Sequence, residues 1–263
     1  MPDRLLSTIA KIERAKEHVR NLKDEIGTFW SSNRYVITPE DDPETGDEVF
    51  RFHGDLQLPP HWGVIIGETV HNLRSALDHL AWQLVLANGG KPNRATEFPI
   101  FEVSDEYESK VEGKIKGASN EAVCIAKSLK LYKGGNDIFA VHRLNIIDKH
   151  RMLVTTGIAR FAIITNGQYD RTDVDGRKHF IFRSGSPIQV APVFLEEGAE
   201  VYRIKAALKN APGVDMQPKF SFDIAFNEPT IIHGKPVVES LHQLADLTRQ
   251  IIAVFYTGCS EIR

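Results

Sequence analysis

The pattern of apolar residues changes near residue 152, and this change limits the folds available. Before it, apolar residues recur every three or four positions, which predicts helices over 3–29, 61–87, 104–117, 119–131 and 136–151. After it come short runs rich in β-branched and aromatic residues, which predict strands over 152–165, 178–183, 188–193, 201–208 and 220–226. A last amphipathic helix is expected over 237–257. The segregation predicts an α+β fold, because a doubly wound parallel sheet would alternate strands with helices.

Three segments follow from this order. Residues 1–151 form a helical bundle that carries a small β-hairpin near 33–53, and residues 152–230 form an antiparallel β insertion. Residues 236–263 supply a C-terminal helix that returns to the bundle.

Composition excludes several classes of protein. The net charge of −3 gives no general attraction to nucleic acid or to an anionic membrane, so such contacts would need a local patch. Two cysteines are too few for a disulfide scaffold, and neither belongs to a CxxC zinc pair. No 18-residue apolar run, signal-peptide core, GxGxxG or GxxxxGK[ST] string is present. We expect a cytoplasmic protein that makes no membrane contact and needs no cofactor.

The helix predicted over 61–87 has an unusual polar side. At about 100° per residue, His71, Arg74 and Asp78 project within about 60° of one another, and His79 lies at the edge of the same arc beside Asn72. Further along, this arc becomes Trp82, Val85 and Leu86, so the later half of the helix is expected to be buried on both sides. The polar half would then face a crevice or a partner.

A second polar cluster occurs in the string VHRLNIIDKHRML. Arg143 and His150 fall on nearly the same side of the predicted helix, with Asp148 and Lys149 around them. If the two helices pack together, they could present six side chains to a shared groove: His71, Arg74, Asp78, His79, Asp148 and His150.

Two strings carry a resemblance to known proteins. HNLRSALDHL and IDKHR resemble strings in a group of uncharacterised bacterial and phage-encoded proteins, and the spacing of Arg and His resembles that of HEPN domains. HEPN domains are helical bundles, often dimeric, in which an Arg is followed after four to six residues by a His. Four residues separate Arg74 from His79, and six separate Arg143 from His150. The immediate neighbour of the Arg is Ser75, where many HEPN nucleases have Asn, Asp or His.

The resemblance implies a HEPN-like bundle whose Arg–His motifs meet across a homodimer and cleave RNA without metal. It also implies a toxin or phage-defence setting, but the sequence names neither an antitoxin nor another protein partner. On this hypothesis Arg74, His79, His71 and Asp78 are catalytic, with His79 transferring the proton and Arg74 clamping the phosphate. The substrate-binding residues would be Asn72, Arg143, Lys149 and His150.

Two alternatives remain open on the sequence alone. His71, Asp78, His79, Asp148 and His150 are suitable metal ligands for a helical-bundle hydrolase, although no HExxH or ExxH pair occurs among them. The Arg, His and Asp side chains could instead form a structural network in a binding or dimerisation module without catalysis.

Overall fold

The computed structural model describes residues 3–32, 35–54, 56–166, 169–172, 178–182, 188–189, 193–210 and 215–262. Its fold is α+β, as the sequence predicts. The α-helices are α1 (Leu6–Ser31), α2 (His61–Ala87), α3 (Ser104–Lys114), α4 (Asn120–Ser128), α5 (Phe139–Asp148), α6 (Ala206–Lys209) and α7 (Val237–Gly258). The strands are β1 (Val36–Asp41), β2 (Glu48–His53), β3 (Thr155–Asn166), β4 (Tyr169–Thr172), β5 (Lys178–Phe182), β6 (Ile188–Gln189), β7 (Val193–Phe194), β8 (Glu200–Ile204) and β9 (Asp215–Phe226).

The chain divides into two compact units. The helical unit comprises Met1–Glu25, Pro59–Val154 and Phe226–Arg263. The β unit comprises Ile26–Leu58 and Thr155–Ala225.

Helix α2 lies at the centre of the helical unit. It follows Pro59 and Pro60 and ends at Asn88, where Gly89 adopts a positive φ of 76°. Its buried side packs against α5 and α7, and α7 also contacts α4. The C-terminal helix thus belongs to the bundle formed by the helices of the first half. No helix in the described ranges is both long and apolar enough to cross a membrane.

The β unit is built from antiparallel pairs. β1 pairs with β2 in the register Val36↔His53 to Asp41↔Glu48, and β2 pairs in turn with β8. β3 pairs with β6, β7 and β9, while β4 pairs with β5. The hairpin therefore groups with the β segment rather than with the helices, because an isolated two-stranded hairpin is marginal and β8 supplies its third strand.

Several helices and strands begin or end at residues other than those that the sequence predicts. The strand expected over 201–208 is wrong in its second half, where β8 ends at Ile204 and α6 follows. Residues 183 and 190–192 of two other expected strands lie outside the described residues. The helices predicted over 104–117, 119–131 and 136–151 are each a few residues shorter, because their last turns give way to loops.

Candidate functional site

The polar side chains of α2 occupy three different environments. Arg74 is buried beneath the loop that follows the helix, His79 lines one cavity, and His71 lines another. The single shared groove expected from the sequence is therefore wrong for this set of residues.

Arg74 is enclosed within the helical unit, and its side chain is only 6 % exposed. Its Nη2 atom donates to the carbonyl oxygen of Phe98 at 3.0 Å and lies 2.8 Å from Asp78 Oδ1, while Nε donates to Asp78 Oδ2 at 3.2 Å. Glu97 Oε2 lies 3.5 Å from Nη2. The expectation that this guanidinium is open to a phosphate is not met, because the loop covers it and internal acceptors hold it.

Asp78 and Glu97 hold the loop onto the helix. Asp78 Oδ1 accepts a hydrogen bond of 2.9 Å from the backbone nitrogen of Phe98, and Lys114 donates to Glu97. Burial alone would raise the pKa of Glu97, but Lys114 and, more weakly, Arg74 hold it below its ordinary value. The Arg74–Asp78–Glu97 cluster and the backbone of Phe98 therefore form one polar network, which we call the Arg74 network. The Nη1 atom of Arg74 is buried and has no hydrogen-bond partner among the described residues.

His79 lies beside a cavity of about 360 Å³ that is also lined by Ser7, Asp78, Trp82, Gln83 and Thr96. The Nδ1 atom of His79 is buried and has no hydrogen-bond partner among the described residues. This nitrogen is therefore an unsatisfied buried group, and only an internal water could complete it.

His71 borders a second cavity of about 350 Å³, which is also lined by Val64, Glu68, Asp148 and Met152. Its Nδ1 lies 3.3 Å from Oδ1 of Asn145, and its Nε2 lies 3.4 Å from the Ser75 hydroxyl. Since an amide oxygen only accepts, Nδ1 of His71 is the donor toward Asn145.

Asp148 reaches the same cavity from α5 across the backbone of Gly67. A Cβ placed on Gly67 would overlap the Asp148 carboxylate, so a larger residue at this position would displace that side chain. Burial raises the pKa of Asp148, although His71 opposes the shift. Of the six side chains that the sequence offered for one groove, the structure brings Asp148 and His71 to the same cavity. Asn145, one helical turn earlier on the same side of α5, was missed.

The remaining predicted substrate-binding residues do not gather at either cavity. Asn72 is buried, donates to the backbone oxygen of Glu68 and accepts from Lys11 Nζ at 3.2 Å. Lys149 and His150 are exposed after the end of α5, and Arg143 is partly exposed on that helix.

The structure does not assemble the alternative metal site. Among the described residues no three His, Cys, Asp or Glu side chains come close enough together to hold a metal ion. Asp78 and His79 line one cavity, whereas His71 and Asp148 line the other.

His142 is a further titratable group near the Arg74 network that sequence reasoning missed. Burial and, next in size, the positive charge of Arg74 lower its pKa from 6.5 to about 4, although Glu97 acts in the opposite sense. The ring is therefore neutral at physiological pH. Its position one residue before Arg143 gives no sign of this, because the charges around it come from α2 and from the loop.

The later half of α2 is not buried on both sides. Val85 is buried as expected, but Trp82 is 42 % exposed and Leu86 is 44 % exposed, which corrects the prediction for those two residues. They lie one helical turn apart and form an apolar stripe that starts at the His79 cavity. Leu6, next to the cavity residue Ser7, is also exposed.

Comparison of this chain with protein-family models, curated proteins and solved structures finds no match in any of the three. Function is therefore inferred from the geometry of this chain alone.

Proposed function

We propose that this chain is a self-associating binding module in which the Arg74 network is structural. The observation that carries the proposal is the enclosure of Arg74, whose guanidinium is held by Asp78 and by the carbonyl oxygen of Phe98. A phosphate clamp must present its donors to the ligand, whereas here Nε and Nη2 donate to internal acceptors and Nη1 is buried without a partner among the described residues. The network instead fastens the loop around Phe98 to α2.

The surface proposed for self-association is the apolar stripe of α2. Trp82 and Leu86 expose large apolar side chains at a spacing of four, with Leu6 as a third exposed apolar residue. Tryptophan is enriched among the residues that dominate protein interfaces, and stripes at this spacing are typical of helix–helix contacts. The partner we infer is a second copy of the chain, in agreement with the homodimer expected from the sequence.

Light scattering coupled to size-exclusion chromatography tests this proposal. We expect the wild-type chain to elute as a dimer and the Trp82→Ser and Leu86→Ser variants to shift toward the monomer. Val103→Ser is the matched control, since Val103 is an exposed apolar residue of the same unit that lies off α2. A wild-type monomer at high micromolar concentration, or a Trp82→Ser variant that stays dimeric, would contradict the proposal.

A second candidate is the HEPN-like endoribonuclease, and the position of His79 and Asp78 beside an open cavity favours it. In that case His79 transfers the proton in the open cavity, with Asp78 beside it held by Arg74. The cavity opens next to the apolar stripe of α2, so a second copy bound to the stripe would lie beside the cavity. The toxin or defence role and the cytoplasmic location stay predictions.

Incubation with single-stranded RNA in a chelating buffer separates the two candidates. The binding module predicts that wild type leaves RNA intact, whereas the nuclease predicts cleavage that His79→Ala abolishes and His61→Ala retains. His61 is the control because it is an exposed histidine on α2 that pairs with Glu25, away from both cavities. Cleavage by wild type that is lost in His79→Ala would replace the first proposal with the second.

A further inference from the structure

A third cavity lies in the helical unit between the start of α5, the segment that precedes α7, and α7 itself. Its volume is about 330 Å³, which is within the lower range for small-molecule sites. Ile231, Ile232 and Leu244 supply apolar walls, and Ser240, Asp137 and Lys235 supply polar groups. None of these residues belongs to the Arg74 network or to the His71 and His79 cavities.

The polar groups of this cavity have no internal partners. Ser240 is 4 % exposed, yet its hydroxyl makes no hydrogen bond within the part of the chain that the structure describes. The Asp137 carboxylate and the Lys235 ammonium likewise form no ion pair or side-chain hydrogen bond with any described residue. Asp137 and Lys235 are exposed, so the three polar groups of the cavity are free to bind water or a ligand.

We propose that this cavity binds a small zwitterion with an apolar body, namely an α-amino acid with a large apolar side chain. The ammonium group of the ligand pairs with Asp137, and its carboxylate pairs with Lys235 and accepts a hydrogen bond from Ser240. The side chain of the ligand packs against Ile231, Ile232 and Leu244. The two opposite charges select a ligand that carries both signs, and the apolar walls select against small polar amino acids.

The probes are L-phenylalanine, L-leucine and L-methionine, measured by saturation-transfer NMR and by isothermal titration calorimetry on the full chain. We expect a dissociation constant of about 0.1–1 mM for the best of them, which is typical of a ligand with about ten heavy atoms. 2-Phenylethylamine, which lacks the carboxylate, and 3-phenylpropionate, which lacks the amine, should each bind about tenfold more weakly than phenylalanine.

Three variants that remove a polar group and one variant that fills the cavity test whether the ligand binds there. Asp137→Asn and Lys235→Gln should each weaken phenylalanine binding about fivefold, and Ser240→Ala about threefold. Ala140→Leu, at a partly exposed lining residue, should abolish binding by filling the cavity while leaving every polar group in place. Glu13→Gln and Lys91→Gln, at exposed positions off the cavity, are the matched charge controls and should bind as wild type does.

Three results would overturn the proposal. They are no binding of any of the three amino acids at 10 mM, equal binding of 2-phenylethylamine and phenylalanine, and unchanged binding in both Asp137→Asn and Ala140→Leu. Circular dichroism and the thermal midpoint show that each variant is folded, so loss of binding is read only from folded protein. The outcome is independent of self-association through Trp82 and of RNA cleavage.

Discussion

The Nη2 atom of Arg74 donates to the carbonyl oxygen of Phe98 at 3.0 Å, 24 residues further along the chain. The Asp78 carboxylate in turn accepts a hydrogen bond of 2.9 Å from the backbone nitrogen of Phe98. One helix thus satisfies both backbone groups of one loop residue with two of its own side chains, four positions apart. Because the partners are main-chain atoms, the contact depends on how the loop is folded rather than on which side chain it carries.

Replacement of Gly67 tests the close approach of α5 to α2. Gly67→Ala should lower the free energy of unfolding by about 2 kcal/mol, because the new methyl group overlaps the Asp148 carboxylate. In an Asp148→Ala background the same change should cost much less, and a double-mutant cycle by urea unfolding measures the difference. Gly27→Ala in α1 is the control, since nothing lies near its added Cβ and alanine is the better helix former.

An equal cost of Gly67→Ala in both backgrounds would mean that Asp148 does not lie against the glycine. Asp148 would then not form part of the wall of the cavity that His71 lines.

Stability should depend on pH through His142. The native pKa of about 4 lies below the ordinary value of 6.5, so between these values the unfolded chain binds more protons than the folded one. Stability should therefore fall as the pH decreases from about 6.5 to 4, by roughly 2 kcal/mol, since each pKa unit is worth about 1.4 kcal/mol and partial solvation reduces the full difference. Urea unfolding at several pH values measures this slope.

His142→Gln should reduce the decrease of the unfolding free energy over this pH range. The loss of stability that follows protonation of carboxylates should remain. The pKa values of Glu97 and Glu228 are lowered from 4.5, so their contribution to stability is lost from that pH downward and overlaps the histidine window only at its acidic end. An identical pH dependence in wild type and in His142→Gln would contradict the assignment.

A second closed ion pair holds the segment before α7. Arg151 donates to both oxygens of Glu228, at 2.9 and 2.7 Å, and Glu228 also accepts from the backbone nitrogen of Val154 at 3.0 Å. Glu228 is 2 % exposed, so Glu228→Gln should reduce the free energy of unfolding by about 2 kcal/mol. Glu112→Gln, which breaks the exposed pair with Lys127, should change it by less than about 0.5 kcal/mol.

Thermal and urea unfolding of these two variants give the comparison. Equal effects of Glu228→Gln and Glu112→Gln would show that the Arg151 pair contributes no more than a surface contact.

The sequence predicted α2 almost to the residue, because proline marks its start, Asn88 and Gly89 mark its end, and its apolar period is regular. It also named Asp148 and His71 among the six side chains that packing of the two helices could bring together, and these two line one cavity. The burial of Arg74 beneath the loop that follows α2 could not be predicted from such periods. The segment that covers Arg74, residues 92–101, has no helical or strand period, and its decisive groups at Phe98 are backbone atoms that every residue possesses.

The exposure of Trp82 and Leu86 was missed for a related reason. In a sequence, an apolar residue on the outer side of a helix gives the same pattern whether a neighbouring segment of the chain or a second molecule covers it. Only the arrangement of the other helices shows that none in the described part of the chain covers these two side chains.

The structural role of the Arg74 network is tested most directly by the urea unfolding of Arg74→Ala. Removal of the guanidinium leaves Asp78 and the carbonyl oxygen of Phe98 without their buried donor, so the free energy of unfolding should fall by about 3–5 kcal/mol. Arg143→Ala, at a partly exposed arginine on α5, should lose less than about 1 kcal/mol and serves as the matched control. An Arg74→Ala protein that unfolds at the wild-type urea concentration would contradict the account.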